Sequence, residues 1–381
     1  MVARFIKSEI STTSKSVLLL GPRQVGKSTL VSSLKPQLSI NLADEMEFLR
    51  HSSNPGELRS LIELSKAKIV FLDEVQRLPK ILNTVQALLD ADKKMKFYLT
   101  GSSARKLKRG GANLLPGRVL NYRLGTLVSA ELSYKMDTAK ALGQGCLPEV
   151  YLGKSEKLNK QILQSYVANY LKEEIQAEAL TRNLDSFARF LQESILSTGQ
   201  FVDYSKLAKK AKVSRHSCSR YYEILEDTLV GQRLWPFKPL VESIDLIKHP
   251  KFYFFDNGVY NGLLGNFIAS LDRVGILCEQ LIYNQLIHSS WAHGKDIEVS
   301  TFRTRTGEEV DFILQLENQI FGIEVKHSQE INTDFLSGLL FFNQNFPKNN
   351  GLFVFHMGTR EKKFGKIWSL PWQQGLKVLG L

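Results

Sequence analysis

Cysteine is scarce in this chain: Cys146, Cys218 and Cys278 are the only three in 381 residues. They lie far apart and form no Cys-x-x-Cys pair. That points to neither a disulfide framework nor a zinc knuckle, and it fits a reducing compartment. Long apolar runs are missing as well. None approaches the ~18 residues of a membrane span, so no membrane partner is expected. The first residues, Met1-Val-Ala-Arg-Phe-Ile-Lys7, lack the apolar core of a signal peptide, and a cytoplasmic location is the expectation. Repeats and low-complexity stretches are absent. Acids are in deficit, with 38 Asp and Glu against 50 Lys and Arg and a formal charge of +12. Such a surplus suits a polyanionic partner, nucleic acid above all. Hydrophobic residues make up 43%, enough for packed cores rather than disorder. The length suits about two or three domains.

What is present is sharper. Ser16-Val-Leu-Leu-Leu20 is an apolar, β-favouring run. It feeds Gly21-Pro22-Arg23-Gln24-Val25-Gly26-Lys27-Ser28-Thr29, and that feeds a helix-forming segment. This is a Gly-x-x-x-x-Gly-Lys-Ser phosphate-binding loop in the strand–loop–helix context it requires. Gly21 and Gly26 let the backbone turn its N–H groups inward. Lys27 is expected to reach the β- and γ-phosphates of ATP, and Ser28 to hold Mg²⁺. The following helix adds the positive end of its dipole.

A second buried-strand pattern, Lys68-Ile-Val-Phe-Leu72, ends in Asp73-Glu74, about fifty residues after the loop. In this Walker B pattern Asp73 supports Mg²⁺ and Glu74 polarises the attacking water. A third strand, Lys96 to Thr100, ends in Gly101-Ser102-Ser103, where Thr100 or Ser102 suits a γ-phosphate sensor. Between Lys93 and Ala130 there are nine Lys and Arg and no acid. The cluster Arg105-Lys106-Leu107-Lys108-Arg109 reads either as a nucleic-acid contact or as a solvated surface loop. Leu115-Pro116-Gly117-Arg118 places Arg118 as an arginine finger toward a neighbouring subunit, which requires a homo-oligomer.

From about Ser155 to Leu196 the pattern is helical, with Ile162, Tyr166, Tyr170 and Ile175 on its apolar positions. Tyr204 to Ala211 then reads as a short helix, Lys212-Val213-Ser214 as a turn, and Arg215 to Leu225 as a second helix capped by Ser214. Cys218, Tyr221 and Leu225 form its inner stripe, and Arg215, His216, Ser219 and Arg220 its outer face. From Tyr204 to Tyr222 there are six Lys and Arg and no acid. This is a helix-turn-helix signature with a basic second helix, suited to DNA through Arg215 and Arg220, with a packing module as the alternative.

In the last third, Thr304 to Gln315 and Ile320 to Lys326 read as two strands joined by a short turn. Alternation puts Glu324 and Lys326 on one face, and a hairpin brings Asp311 beside Glu324. Two carboxylates there suit Mg²⁺, with Lys326 orienting water. Glu279, at the edge of a buried helical stripe, is costly unless partnered, and a third acid at the same site would explain it.

The order helix Glu, strand Asp, Glu-x-Lys resembles the PD-(D/E)XK nuclease core. Over nearly its whole length the chain also resembles the prokaryotic AAA-type ATPases that carry a C-terminal nuclease-like domain of unknown function. The loop Gly21–Ser28, Phe71-Leu-Asp-Glu-Val-Gln76, Leu99-Thr-Gly-Ser-Ser-Ala104, Pro116-Gly-Arg118 and Leu147-Pro148-Glu149 carry that resemblance, in that order. It implies an AAA+-like core followed by a winged helix and a PD-(D/E)XK-like fold. The expected organisation is α/β: a P-loop AAA+-like ATPase core at 1–136, a helical lid or linker at 137–200, a winged helix-turn-helix at 201–250, and an α/β PD-(D/E)XK nuclease-like domain at 251–381. Two functions compete. One is a DNA-associated ATPase with a live Mg²⁺-dependent nuclease. The other is a nucleotide-switched DNA-binding scaffold with an inactive nuclease fold. A small-molecule kinase also uses a P-loop, but the acid pair after Ile69–Leu72 and the basic helix-turn-helix speak against it.

Overall fold

Strands buried on both faces need apolar residues at every position, and Ser16–Leu20 meets that demand with all five residues buried. It is β1 of a wholly parallel sheet with β2 (Leu38–Asn41), β3 (Ile69–Asp73), β4 (Lys96–Gly101) and β5 (Val119–Arg123), in the order β2-β3-β4-β1-β5. Leu18, Val70, Leu72, Phe97 and Leu99 fill the core beneath the helices. The structure is a computed structural model, and it describes residues 2–102, 115–171, 184–239 and 244–381. The expected basic loop Arg105–Arg109 and Ile175 lie outside the described residues. The chain divides into two units, one of residues 1–125, 227–229 and 291–294, the other of 126–226, 230–290 and 295–381. Among the described residues, no helix is long and apolar enough to cross a membrane.

The second unit begins with helices, including Glu156–Ser165 and Leu184–Leu196. The helices Tyr204–Ala211 and Arg215–Asp227 come after them, separated by Lys212 in the left-handed region at φ 53°. A two-stranded antiparallel ribbon comes next, β6 (Gly231–Leu234) with β7 (Lys251–Phe254). The expected boundary at 250/251 therefore falls inside a paired ribbon: β7 is tied by its hydrogen bonds to β6, on the other side of that boundary.

After the long helix Val274–Ala292 come β8 (Ile297–Arg303), β9 (Glu309–Leu316), β10 (Gln319–Lys326), β11 (Gly351–His356), β12 (Lys362–Phe364) and β13 (Ile367–Pro371). Their order is β12-β13-β11-β10-β9-β8. β8, β9 and β10 form an antiparallel meander, whereas β10, β11 and β13 run parallel. The helix Ser337–Asn345 supplies the crossover between β10 and β11, and its Leu339 and Phe342 pack on Phe302, Val310 and Val354. Gly338 lets that helix approach: a Cβ there would stand 1.8 Å from the Glu309 carbonyl oxygen.

Candidate functional site: a phosphate loop and a carboxylate cluster

Ligands of open parallel sheets gather at the C-terminal ends of the strands. The loop after β1 opens at that edge of the first unit. Gln24 and Gly26 adopt positive φ, 61° and 94°, and so turn the backbone around the loop. Gly21 is required by packing, since a Cβ there would lie 2.1 Å from the Leu124 carbonyl oxygen. At Gly26 a Cβ would meet nothing within 4 Å. The Lys27 ammonium, on a residue 4% exposed, donates to the carbonyls of Gly21 at 2.8 Å and Pro22 at 2.7 Å. Arg4 buttresses the loop from outside, donating to the carbonyls of Val25 at 2.8 Å and Gly125 at 2.9 Å.

The strand carrying the acids is not a neighbour of β1. β4 lies between β1 and β3, and it delivers Thr100, a fully buried residue. The Thr100 hydroxyl donates to Asp73 Oδ1 and accepts the Glu74 backbone N–H at 3.3 Å. Glu74 sits in the left-handed region at φ 58°. Its carboxylate accepts from the Gln76 amide, which also donates to the Ser102 hydroxyl at 3.1 Å. Of the two sensor candidates, Thr100 has its hydroxyl engaged by the Asp73 carboxylate and the Glu74 backbone, and Ser102 accepts from Gln76.

Arg118, expected as a finger toward a neighbouring subunit, lies at a different place on the sheet. It precedes β5, whose Val119 pairs with Ser16 at the start of β1, and it therefore stands at the N-terminal edge of the sheet. There it forms a two-pronged pair with Asp90, at 2.7 and 3.1 Å. It is no part of this chain's own phosphate loop.

In the second unit the helix pair behaves as the sequence suggests. Cys218, Tyr221 and Leu225 are buried, whereas Arg215, His216 and Arg220 are exposed. Ser214 Oγ accepts the Ser217 N–H at 3.0 Å, which caps the second helix.

The four residues expected of the nuclease-like site do converge. β9 and β10 bring Asp311 beside Glu324, and Asp311 Oδ2 accepts the Val325 N–H at 2.8 Å. Glu324 Oε1 pairs with the Lys326 ammonium at 2.6 Å. Glu279 Oε2 accepts from the Tyr253 hydroxyl at 3.0 Å. Sequence reasoning missed Lys251, which opens β7 and is 4% exposed. Its ammonium stands 2.8 Å from Glu309 Oε1, 3.6 Å from Glu279 Oε2 and 3.9 Å from Asp311 Oδ1.

Burial and then the Asp311 carboxylate push Glu279 up to about 7, against the pull of Lys251. Burial and Asp311 likewise push Glu324 up to about 8. Burial raises Asp311 too, while Lys251 and Lys326 oppose it. Burial acts to lower both lysines, but the carboxylates outweigh it and both are raised.

These residues do not fit a ready magnesium site. Among the described residues, no group of three or more His, Cys, Asp or Glu side chains is placed to hold a metal ion. Around the expected metal pair, a backbone N–H and Lys326 take one oxygen each of Asp311 and Glu324, and Lys251 faces the other oxygen of Asp311.

Comparisons with known proteins agree with the first unit. Residues 13–133 match a family described as AAA domain. The likeness to an AAA domain covers the N-terminal third, where the glycine loop and the parallel sheet lie. Residues 136–269 and 274–374 match two families described as domains of unknown function, DUF8612 and DUF4143. The chain is similar to uncharacterized proteins of Mycobacterium bovis and Mycobacterium tuberculosis, each 24% identical over 320 residues, which is 82% of this chain and 70% of theirs. Remote structural likenesses include the replication initiator DnaA bound to AMPPCP and single-stranded DNA (TM-score 0.27, 11% identity, 58% of this chain and 85% of that one). Another is a DNA replication initiation factor (TM-score 0.25, 13% identity, the same coverage). A third is protein VC1899 from Vibrio cholerae (TM-score 0.18, 9% identity, 97% and 93%).

Proposed function

We propose that this chain hydrolyses ATP and works on nucleic acid, DNA in the first instance. The observation that carries the ATPase reading is one sheet edge that holds a glycine loop with Lys27 after β1 and, after β3, Asp73 and Glu74, the first bonded through its carboxylate and the second through its backbone to Thr100. Backbone N–H groups of the loop would cradle the phosphates, and Lys27 would exchange the carbonyls of Gly21 and Pro22 for phosphate oxygens. Ser28 and Asp73 would hold Mg²⁺, which when bound neutralises charge on the phosphates. Glu74 would take the proton of the attacking water once it parts from Gln76. The nucleic-acid reading rests on the net charge of +12 and on exposed Arg215 and Arg220 beside a capped turn, with the β6–β7 ribbon as the wing of a winged helix.

The test is ATP binding and phosphate release, with and without DNA. Lys27→Ala should lose tight ATP binding. Glu74→Gln should bind ATP and turn it over slowly. Equal turnover by Glu74→Gln and the parent would sink the base assignment, and phosphate release without any acceptor would dispose of a kinase.

For the C-terminal part, the resemblance suggests a Mg²⁺-dependent DNA endonuclease using Asp311, Glu324, Glu279 and Lys326. One observation favours the second reading, a nucleotide-switched scaffold whose nuclease-like site does not cut: the Lys251 ammonium among the carboxylates. Nicking of plasmid DNA by the parent, lost in Asp311→Ala and Lys326→Ala, would reverse that choice.

A further inference from the structure

We propose that Lys251 is the resident cation of the carboxylate cluster, so that the native cluster takes up no divalent metal and its exclusion of metal depends on that one ammonium. The inference deepens the second reading of the C-terminal part and is independent of the ATPase.

Lys251 is the first residue of β7, and its side chain is 4% exposed. Burying an ammonium costs several kcal/mol unless carboxylates compensate it closely. Here Glu309 compensates at 2.8 Å, with Glu279 at 3.6 Å and Asp311 at 3.9 Å. The Phe201 ring, 5.3 Å from the ammonium, offers its π face. The dependence is mutual. Without the ammonium, Glu309 would keep Arg303, and Glu279 and Asp311 would keep, of the nearby cations, only the field of Lys326 against their mutual repulsion.

Three features separate this arrangement from a metal site that merely has a lysine nearby. The first is spacing. A magnesium ion draws its oxygen ligands to about 2.1 Å. Lysine holds these oxygens at 2.8 to 3.9 Å, so the carboxylates would have to close inward as the ammonium left.

The second feature is lone-pair use. Asp311 gives one oxygen to the Val325 N–H and faces Lys251 with the other. Glu279 Oε2 accepts from Tyr253 and faces Lys251. Glu324 Oε1 is bound to Lys326. Glu324 Oε2 is buried and without a partner, and Asp311 Oδ1 stands 3.9 Å from Lys251; a hard divalent ion demands several such oxygens at once.

The third feature is charge. Among Glu279, Glu309, Asp311 and Glu324 stand Lys251, Lys326 and Arg303, the last 3.0 Å from Glu309. A divalent ion added to this set would meet three cations, and removing the Lys251 charge takes one of them away.

The experiment uses the full chain without nucleotide, with Mn²⁺ binding followed by calorimetry and Tb³⁺ binding by luminescence sensitised through tyrosine. The signal that matters is the part lost on Asp311→Asn, which removes contributions from other acids. The parent is expected to show no Asp311-dependent site. Lys251→Met and Lys251→Gln should each gain one, at least tenfold tighter than any Asp311-dependent binding in the parent, and Lys251→Arg should gain none. An Asp311-dependent site in the parent overturns the proposal, whether or not the Lys251 variants fold. So does a folded Lys251→Met or Lys251→Gln that gains no site. Failure of ATP turnover would not touch either result, because nucleotide is absent throughout.

Discussion

The Thr100 hydroxyl donates to the Asp73 carboxylate inside the first unit, joining the tip of β4 to the tip of β3. The same oxygen receives the Glu74 N–H at 3.3 Å. One buried hydroxyl thus ties the Asp73 carboxylate to the backbone of Glu74.

Thr100→Val keeps the shape and removes both bonds. Phosphate release should fall about ten- to a hundredfold, the scale on which misplaced catalytic groups act. ATP affinity should change much less, because the glycine loop is untouched. Thr100→Ser restores the hydroxyl and should recover most of the rate. Steady-state turnover paired with equilibrium ATP binding makes the distinction, and full turnover in Thr100→Val would show the hydroxyl idle.

The two loop glycines should answer differently to alanine. At Gly21 the new methyl would stand 2.1 Å from the Leu124 carbonyl, a backbone atom that cannot swing away. Overpacking of this kind costs about 1–3 kcal/mol, and the loop itself must shift. At Gly26 there is room, and the cost is the strain of φ 94° alone. Gly21→Ala should therefore lower the melting temperature more than Gly26→Ala, while both weaken ATP binding. The reverse order in thermal unfolding would refute the packing argument.

Asp256 carries a pH dependence. It is fully buried and caps the helix Asn257–Leu264, accepting the N–H groups of Val259 at 3.1 Å and Cys146 at 2.6 Å. Burial pushes its carboxyl up from 3.8 to about 6, although those N–H donors pull it down. The folded state then holds a proton that the unfolded state has released between about pH 4 and pH 6. This group's contribution to stability is full below that window and lost as pH rises through it, by roughly 3 kcal/mol for a shift of about two units. Asp256→Asn mimics the protonated form. Urea unfolding across that range should show the parent losing ground to Asp256→Asn as pH rises, and parallel profiles would reject the assignment.

Legibility in the sequence depends on the range of each signal. The phosphate loop announces itself because strand, glycines and lysine are contiguous, and their chemistry is settled within nine residues, Gly21–Thr29. Asp311 and Glu324 are legible because a hairpin with period two brings them together locally. Lys251 is not. It opens Lys251-Phe-Tyr-Phe254, an ordinary strand start, and its meaning arises only where β7, the helix Val274–Ala292 and β9 meet. Thr100 is legible as a polar group at the right strand end, but its partner is not, because sequence cannot say which neighbouring acid a buried hydroxyl will bond. For Arg118 the charge is legible and its partner is not, because Asp90 lies 28 residues away on another element.

The helix Arg215–Asp227 allows a test of nucleic-acid contact that bulk charge cannot imitate. Arg215 and Arg220 are exposed on the side opposite buried Cys218, Tyr221 and Leu225. If they neutralise two phosphates, Arg215→Ala/Arg220→Ala should weaken DNA binding and flatten the slope of log affinity against log salt by about 1.8, at ~0.9 per phosphate on a duplex. Lys362 and Lys363, exposed on β12, offer the control. Lys362→Ala/Lys363→Ala removes the same charge and should leave the slope unchanged if binding is local to the helix. Equal losses from the two pairs would mean that DNA responds to net charge alone, and the helix would then be a packing element.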